Sequence, residues 1–120
     1  MTPGPPEDVI ELVERATRGD TDAFDQLVES YKGRVHSTAR RILHDADEAL
    51  DVVQEVFLRV HRGLPRLQEP RAFGGWLRQI SIRTAINHLQ RRKGERGMTF
   101  PIDADTVPSD RPTEDPHRAA

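Results

Sequence analysis

Residues 45–64, DADEALDVVQEVFLRVHRGL, decide the fold. Leu50, Val53, Val56, Phe57 and Val60 recur at spacings of three and four, the repeat of a helix that buries one face. Asp47, Asp51, Gln54, Glu55 and Arg59 fall largely on the opposite side. Asp45, followed three residues later by Glu48, is a helix start of the capping-box kind. Gly63 closes the segment.

The same repeat extends both ways along the chain. Upstream, FDQLVESYKGRVHSTARRIL (24–43) places Phe24, Leu27, Val28, Tyr31, Val35, Thr38, Ala39, Ile42 and Leu43 on one stripe, predicting a helix over 21–43. Asp20 or Thr21 caps it. Gly33 weakens it by about 1 kcal/mol relative to alanine. Before it, Pro5-Pro6-Glu7-Asp8 opens a short helix over 6–18 with Val9, Ile10, Leu12, Val13 and Ala16 inward and Gly19 as its C-cap. Downstream, Pro65 and Pro70 bracket a loop at 64–70. A last helix over 71–93 then turns Phe73, Trp76, Leu77, Ile80, Thr84, Ala85 and Leu89 inward. Burial is the expected role of Trp76, and Phe73 is a candidate for either burial or stacking on a base. Gly74-Gly75 leaves room for another backbone or a ligand, or frays the first turn.

Short links make consecutive helices antiparallel neighbours. The expected fold is therefore all-α, a bundle of three main antiparallel helices plus a short N-terminal helix. Four of the nine prolines follow residue 100, and that stretch has no periodicity. The chain divides into an N-terminal segment (1–19), a helical domain (20–96) and a disordered linker (97–120).

Composition narrows the function. Apolar residues make up only 35% of the chain, which agrees with polar ends outside one core. There is no cysteine, so a disulfide, a thiol nucleophile and a Cys-based zinc site are excluded. The N-terminus is not a basic-then-apolar leader, and no apolar run approaches the ~20 residues of a membrane span. Cytoplasmic location is the expectation. No Gly-rich phosphate loop, nucleophile elbow or HExxH motif occurs. The nearest approach to a metal set is His44 with Asp47 and Glu48, which capping and solvation explain. No catalytic residue, metal or cofactor is expected.

Charge is strongly uneven. Residues 1–60 carry thirteen acids and seven Lys/Arg, whereas residues 71–96 carry one acid and seven Lys/Arg. A basic block in an acidic chain is either a solvated helix face or a polyanion site. Arg78, Arg83, Asn87, His88, Arg91, Arg92, Lys93 and Arg96 supply the groups that neutralise phosphates and read base edges. Cations near a helix C-terminus are also favoured by the dipole alone. The polar face of 45–64 is likewise either a wet surface or a docking face for a helical partner.

Three segments now match one pattern. DADEALDVVQEVFLRVHRGL, FGGWLRQISIRTAINHLQRRKGER (73–96) and the preceding FDQLVESYKGRVHSTARRIL together resemble the first globular domain, region 2, of extracytoplasmic-function (ECF) sigma factors. The resemblance covers about residues 20–96, and VVQEVFLRV and WLRQI are its most specific parts. It implies that Asp47, Asp51, Gln54, Glu55 and Arg59 dock on the clamp helices of the largest subunit of core RNA polymerase. It implies that the loop, Leu64–Phe73, captures a base flipped from the non-template strand of the promoter minus-ten element. Arg66, Gln68, Glu69, Arg71 and Phe73 are then pocket candidates, and Arg78, Arg83, Asn87, His88, Arg91 and Arg92 strand contacts. The family commonly has Asn at the position of Arg83 and Asp at that of Asn87, so a different base preference is expected here. An anti-sigma factor is expected as a further partner, and a second helix-turn-helix domain beyond the linker. The competing readings are a helix-turn-helix regulator of duplex DNA and a helical protein-interaction module with no nucleic acid.

Overall fold

The structure is a computed structural model that describes residues 7–92. Four α-helices follow in order: α1 (Glu7–Thr17), α2 (Thr21–Leu43), α3 (Ala46–Gly63) and α4 (Phe73–Arg92), with 3-10 turns at Leu64–Arg66 and Pro70–Ala72 between the last two. The predicted bounds agree to within a residue or two. The predicted end of the last helix at 93 and the linker at 97–120 lie outside the described residues.

Each boundary has a local cause. Gly19 sits at φ 96°, in the left-handed region that glycine enters without strain. Asp20 then caps α2, its carboxylate accepting from the Ala23 N–H at 3.1 Å and from Arg15 Nε at 2.9 Å. α2 stops at His44, whose N–H still reaches the Arg40 carbonyl while its left-handed φ of 56° turns the following chain out of the helix. Asp45 caps α3 by accepting from the N–H groups of Asp47 and Glu48, both at 2.9 Å. The reciprocal half of the capping box does not form, because the Glu48 carboxylate turns to Arg92 on α4. Gly63 ends α3 in a right-handed conformation. Pro65 is what stops the helix there, since it has no N–H for the next intrahelical bond.

Long-range bonds fix the topology. The end of α4 lies beside the start of α3, through Arg92–Glu48 and His88–Glu55. It also meets the end of α2, where Arg92 Nη2 donates to the Leu43 carbonyl at 3.1 Å. So α3 runs antiparallel to both neighbours, and α2 and α4 run parallel. The core between them holds Leu27, Tyr31, Val35, Ala39 and Leu43 of α2, Ala49, Val52, Val56, Phe57 and Val60 of α3, and Phe73, Trp76, Leu77, Ile80 and Ala85 of α4. α1 belongs to the same core, with Val13 fully buried and Ala16 nearly so.

Two expectations are corrected here. Leu50, predicted to face inward, is 55% exposed. Ala49 and Val52 take the inner positions at the start of α3, while Val56, Phe57 and Val60 are buried as expected and Val53 packs partly buried against the core. Of the roles open to Gly74 and Gly75, close approach of another backbone within the bundle is not used: a Cβ built on either would meet no atom within 4 Å.

Candidate nucleic-acid interface and docking face

The solvent face of α3 is mixed rather than merely wet. Among the described residues, Leu50 (55% exposed) and Leu58 (59%) are the large apolar side chains that stand out from the surface. Gln54 lies between them at four-residue spacing, so the three form one line along the helix. Asp47 and Asp51 are exposed on the same side. Leu58 escaped the sequence reading. Its signal was present, since a leucine outside the inner stripe has no packing reason to be there.

Glu55 and Arg59 occupy the flank of that face nearest α4. Arg59 Nη2 bonds Glu55 Oε2 at 2.7 Å, and His88 Nε2 meets Glu55 Oε1 at 2.9 Å. Burial by itself would raise the Glu55 carboxyl, but hydrogen bonds from Arg59 and His88, and their charges, outweigh it and hold the group below its ordinary range. A carboxyl lowered on folding stabilises the fold fully above its unfolded value, about 4.3, and loses that contribution as pH falls through the folded value. Glu55→Gln is therefore expected to be less stable than the parent at neutral pH. The difference should shrink toward zero as pH drops below about 4, as read by urea unfolding along a pH series.

The strand candidates divide by environment. In the connection, Arg66, Gln68 and Arg71 are exposed. Glu69 is half-buried and caps the second 3-10 turn, its carboxylate accepting from the Arg71 N–H at 3.2 Å. Phe73 is 1% exposed, and its ring meets Tyr31 and Trp76 edge-on at 5.5 and 6.2 Å. It has no open face on which a base could stack. Asn87 is also buried, at 6%. His88 and Arg92 are drawn into the bundle by Glu55 and Glu48. Arg78, Arg83 and Arg91 have no carboxylate partner among the described residues, and Arg78 and Arg91 are exposed and Arg83 half-buried. Free positive charge on α4 is thus narrower than the sequence suggests, and it runs along the helix rather than gathering at its end. Among the described residues no group of three His, Asp or Glu is placed to hold a metal ion, and no helix is long and apolar enough to cross a membrane.

An all-helical bundle that presents an acidic, leucine-marked helix beside a helix of unpaired arginines defines a class. The chain belongs to the Sigma-70 region 2 family, whose pattern matches residues 27–95; it is a sigma-factor domain and not an enzyme. Among its relatives is the RNA polymerase sigma-H factor of Pseudomonas aeruginosa, 44% identical over 100 residues, covering 83% of this chain and 49% of that protein. The ECF RNA polymerase sigma-E factor of Escherichia coli K12 is 39% identical over 93 residues, covering 78% and 48%, and that of Salmonella typhimurium LT2 matches to the same extent. The chain spans about half the length of the curated relatives it matches.

Proposed function

We propose that this chain docks on core RNA polymerase through α3 and recognises and melts the promoter minus-ten element through the α3–α4 connection and α4, directing transcription initiation. One observation supports the reading: adjacent helices expose unneutralised charge of opposite sign, Asp47 and Asp51 beside Leu50 and Gln54 on α3 and Arg78, Arg83 and Arg91 on α4. On α3 the leucines supply the apolar contact, while Asp47 and Asp51 set register against a basic helical partner, for which the clamp helices of the largest subunit are the assignment.

On the other side, melting needs a place for an unstacked base. Unstacking costs a few kcal/mol, and a fitted pocket with phosphate contacts offsets it. Arg66, Gln68 and Arg71 line the exposed connection and are the groups assigned to that pocket on the non-template strand. Arg83 is assigned to the neighbouring bases. Asn87, buried in the bundle, positions α4 rather than touching a base. The duplex-reading alternative fares worse, because a helix-turn-helix joins its helices by a turn of three or four residues, whereas here residues 64–72 separate α3 from α4. Work in the cytoplasm and restraint by an anti-sigma factor that covers the α3 face follow from this reading.

The test is selection of single strands from a randomised pool by the purified chain. The expected result is enrichment of one short sequence at physiological salt. Equal retention of all sequences would leave only charge-driven binding and remove the recognition claim.

A further inference from the structure

Asp47, Leu50, Gln54, Leu58 and Arg62 of α3 are all exposed. At 3.6 residues per turn they fall within about 120° of the helix circumference, so they form one strip. Its chemistry runs in order: acid, leucine, amide, leucine, base. Gln54 stands at the middle. Leu50 and Leu58 lie one turn to either side of it, about 6 Å away along the axis, and Asp47 and Arg62 lie two turns out. Among the described residues neither Asp47 nor Arg62 has an ion-pair partner, unlike Glu48, Glu55 and Arg59 of the same helix. The helix dipole by itself favours an acid at the start and a base at the end. It gives no reason for two leucines, 55% and 59% exposed, on the line between them.

We infer that this strip is self-complementary and binds the same strip of a second copy of the chain, antiparallel, about a twofold axis at Gln54. Reversing the strip exchanges its ends. Asp47 then meets the partner's Arg62, and Arg62 meets the partner's Asp47, so the ion pair forms twice. Leu50 packs beside the partner's Leu58, again twice. Gln54 meets its own copy, and because a side-chain amide both donates and accepts, the two can bond reciprocally. A twofold contact of this kind closes on itself and stops at a dimer. A parallel arrangement would set acid on acid and base on base, so charge fixes the direction. Each side contributes one face of one helix, less than the ~1,000 Å² of a stable complex. The dimer is therefore weak and reversible. Its consequence rests on the proposed function: a copy seated on α3 covers the leucines assigned to polymerase, so core polymerase and a second copy exclude each other.

The experiment is sedimentation equilibrium of the full chain from about 10 μM to about 1 mM, the range of weak association. The parent, D47R, R62E, an equimolar mixture of those two variants, and D47R/R62E are compared, with thermal unfolding of each to check that the bundle is intact. The parent is expected to dimerise. D47R and R62E alone should each weaken the dimer at least about tenfold, because one substitution acts at both ends of a twofold contact. The mixture and the double variant should both recover the parental affinity, since every reversed charge then faces its opposite. Damage to the fold would not be repaired by mixing. A chain that is monomeric throughout the range overturns this inference and leaves the α3 face to polymerase alone, with the proposed function standing. A dimer that neither single variant weakens forms elsewhere and overturns it too. Weakening without recovery on mixing overturns the antiparallel pairing. Adding core polymerase to the parent dimer should dissociate it. A charge-sensitive dimer that persists on polymerase would uphold this inference and move the docking face off α3.

Discussion

Phe73→Ala is expected to cost about 3–5 kcal/mol of folding free energy. The side chain is 1% exposed and is among the largest that are fully buried. It stands at the first position of α4, where α2 and the connection converge, and its edge-on contacts with Tyr31 and Trp76 add to simple area burial. Domains of this size are stable by only about 5–15 kcal/mol, so the substitution should bring the chain close to unfolding at ambient temperature. Urea unfolding measures the loss directly. The outcome also separates two roles that sequence alone left open. A base-stacking Phe73 at the surface would cost strand affinity and little stability. The buried Phe73 should cost stability, with strand binding falling only as far as the folded fraction falls. A stability change below about 1 kcal/mol, typical of surface positions, would contradict the packing described here.

Leu58→Glu should do the reverse. The side chain is 59% exposed, so its replacement is expected to move stability by no more than about 0.5 kcal/mol. At a docking surface, however, a central apolar anchor is worth about 3 kcal/mol, or roughly 100-fold in affinity. The new carboxylate would also be desolvated without a partner. Titration of the labelled chain with core polymerase is expected to show that loss. Leu50→Glu should behave alike, and Asp51→Ala with Gln54→Ala should weaken binding further by removing the groups that set register. Retained binding by Leu58→Glu would move the docking face off α3.

The contrast between these residues shows what the sequence carried and where it failed. Helix existence and bounds were legible because apolar spacing and capping residues act locally: Asp20, Asp45 and Gly19 do in the structure what their types and positions indicate. Phase was harder to read. On α3 the choice between Ala49 and Leu50 as the buried residue of the first turns is a rotation of about 100°. Leucine looks like the better core residue, yet alanine and valine lie inside and leucine outside. The neutralisation of charge was not legible at all. His88 and Glu55 are 33 residues apart, and Arg92 and Glu48 are 44 apart, so a basic run that reads as free in one dimension is partly tied down in three.

The account stands on two opposed faces of one bundle engaging different partners at the same time. Site-specific photocrosslinking tests this most directly, with a photoreactive side chain placed at position 58 in one preparation and at position 83 in another. Each is assembled with core polymerase and a DNA carrying an open minus-ten bubble. The account predicts that position 58 crosslinks to the largest polymerase subunit and position 83 to the non-template strand. Crosslinks from both positions to polymerase alone, or from position 83 to duplex upstream DNA in place of the open strand, would contradict it.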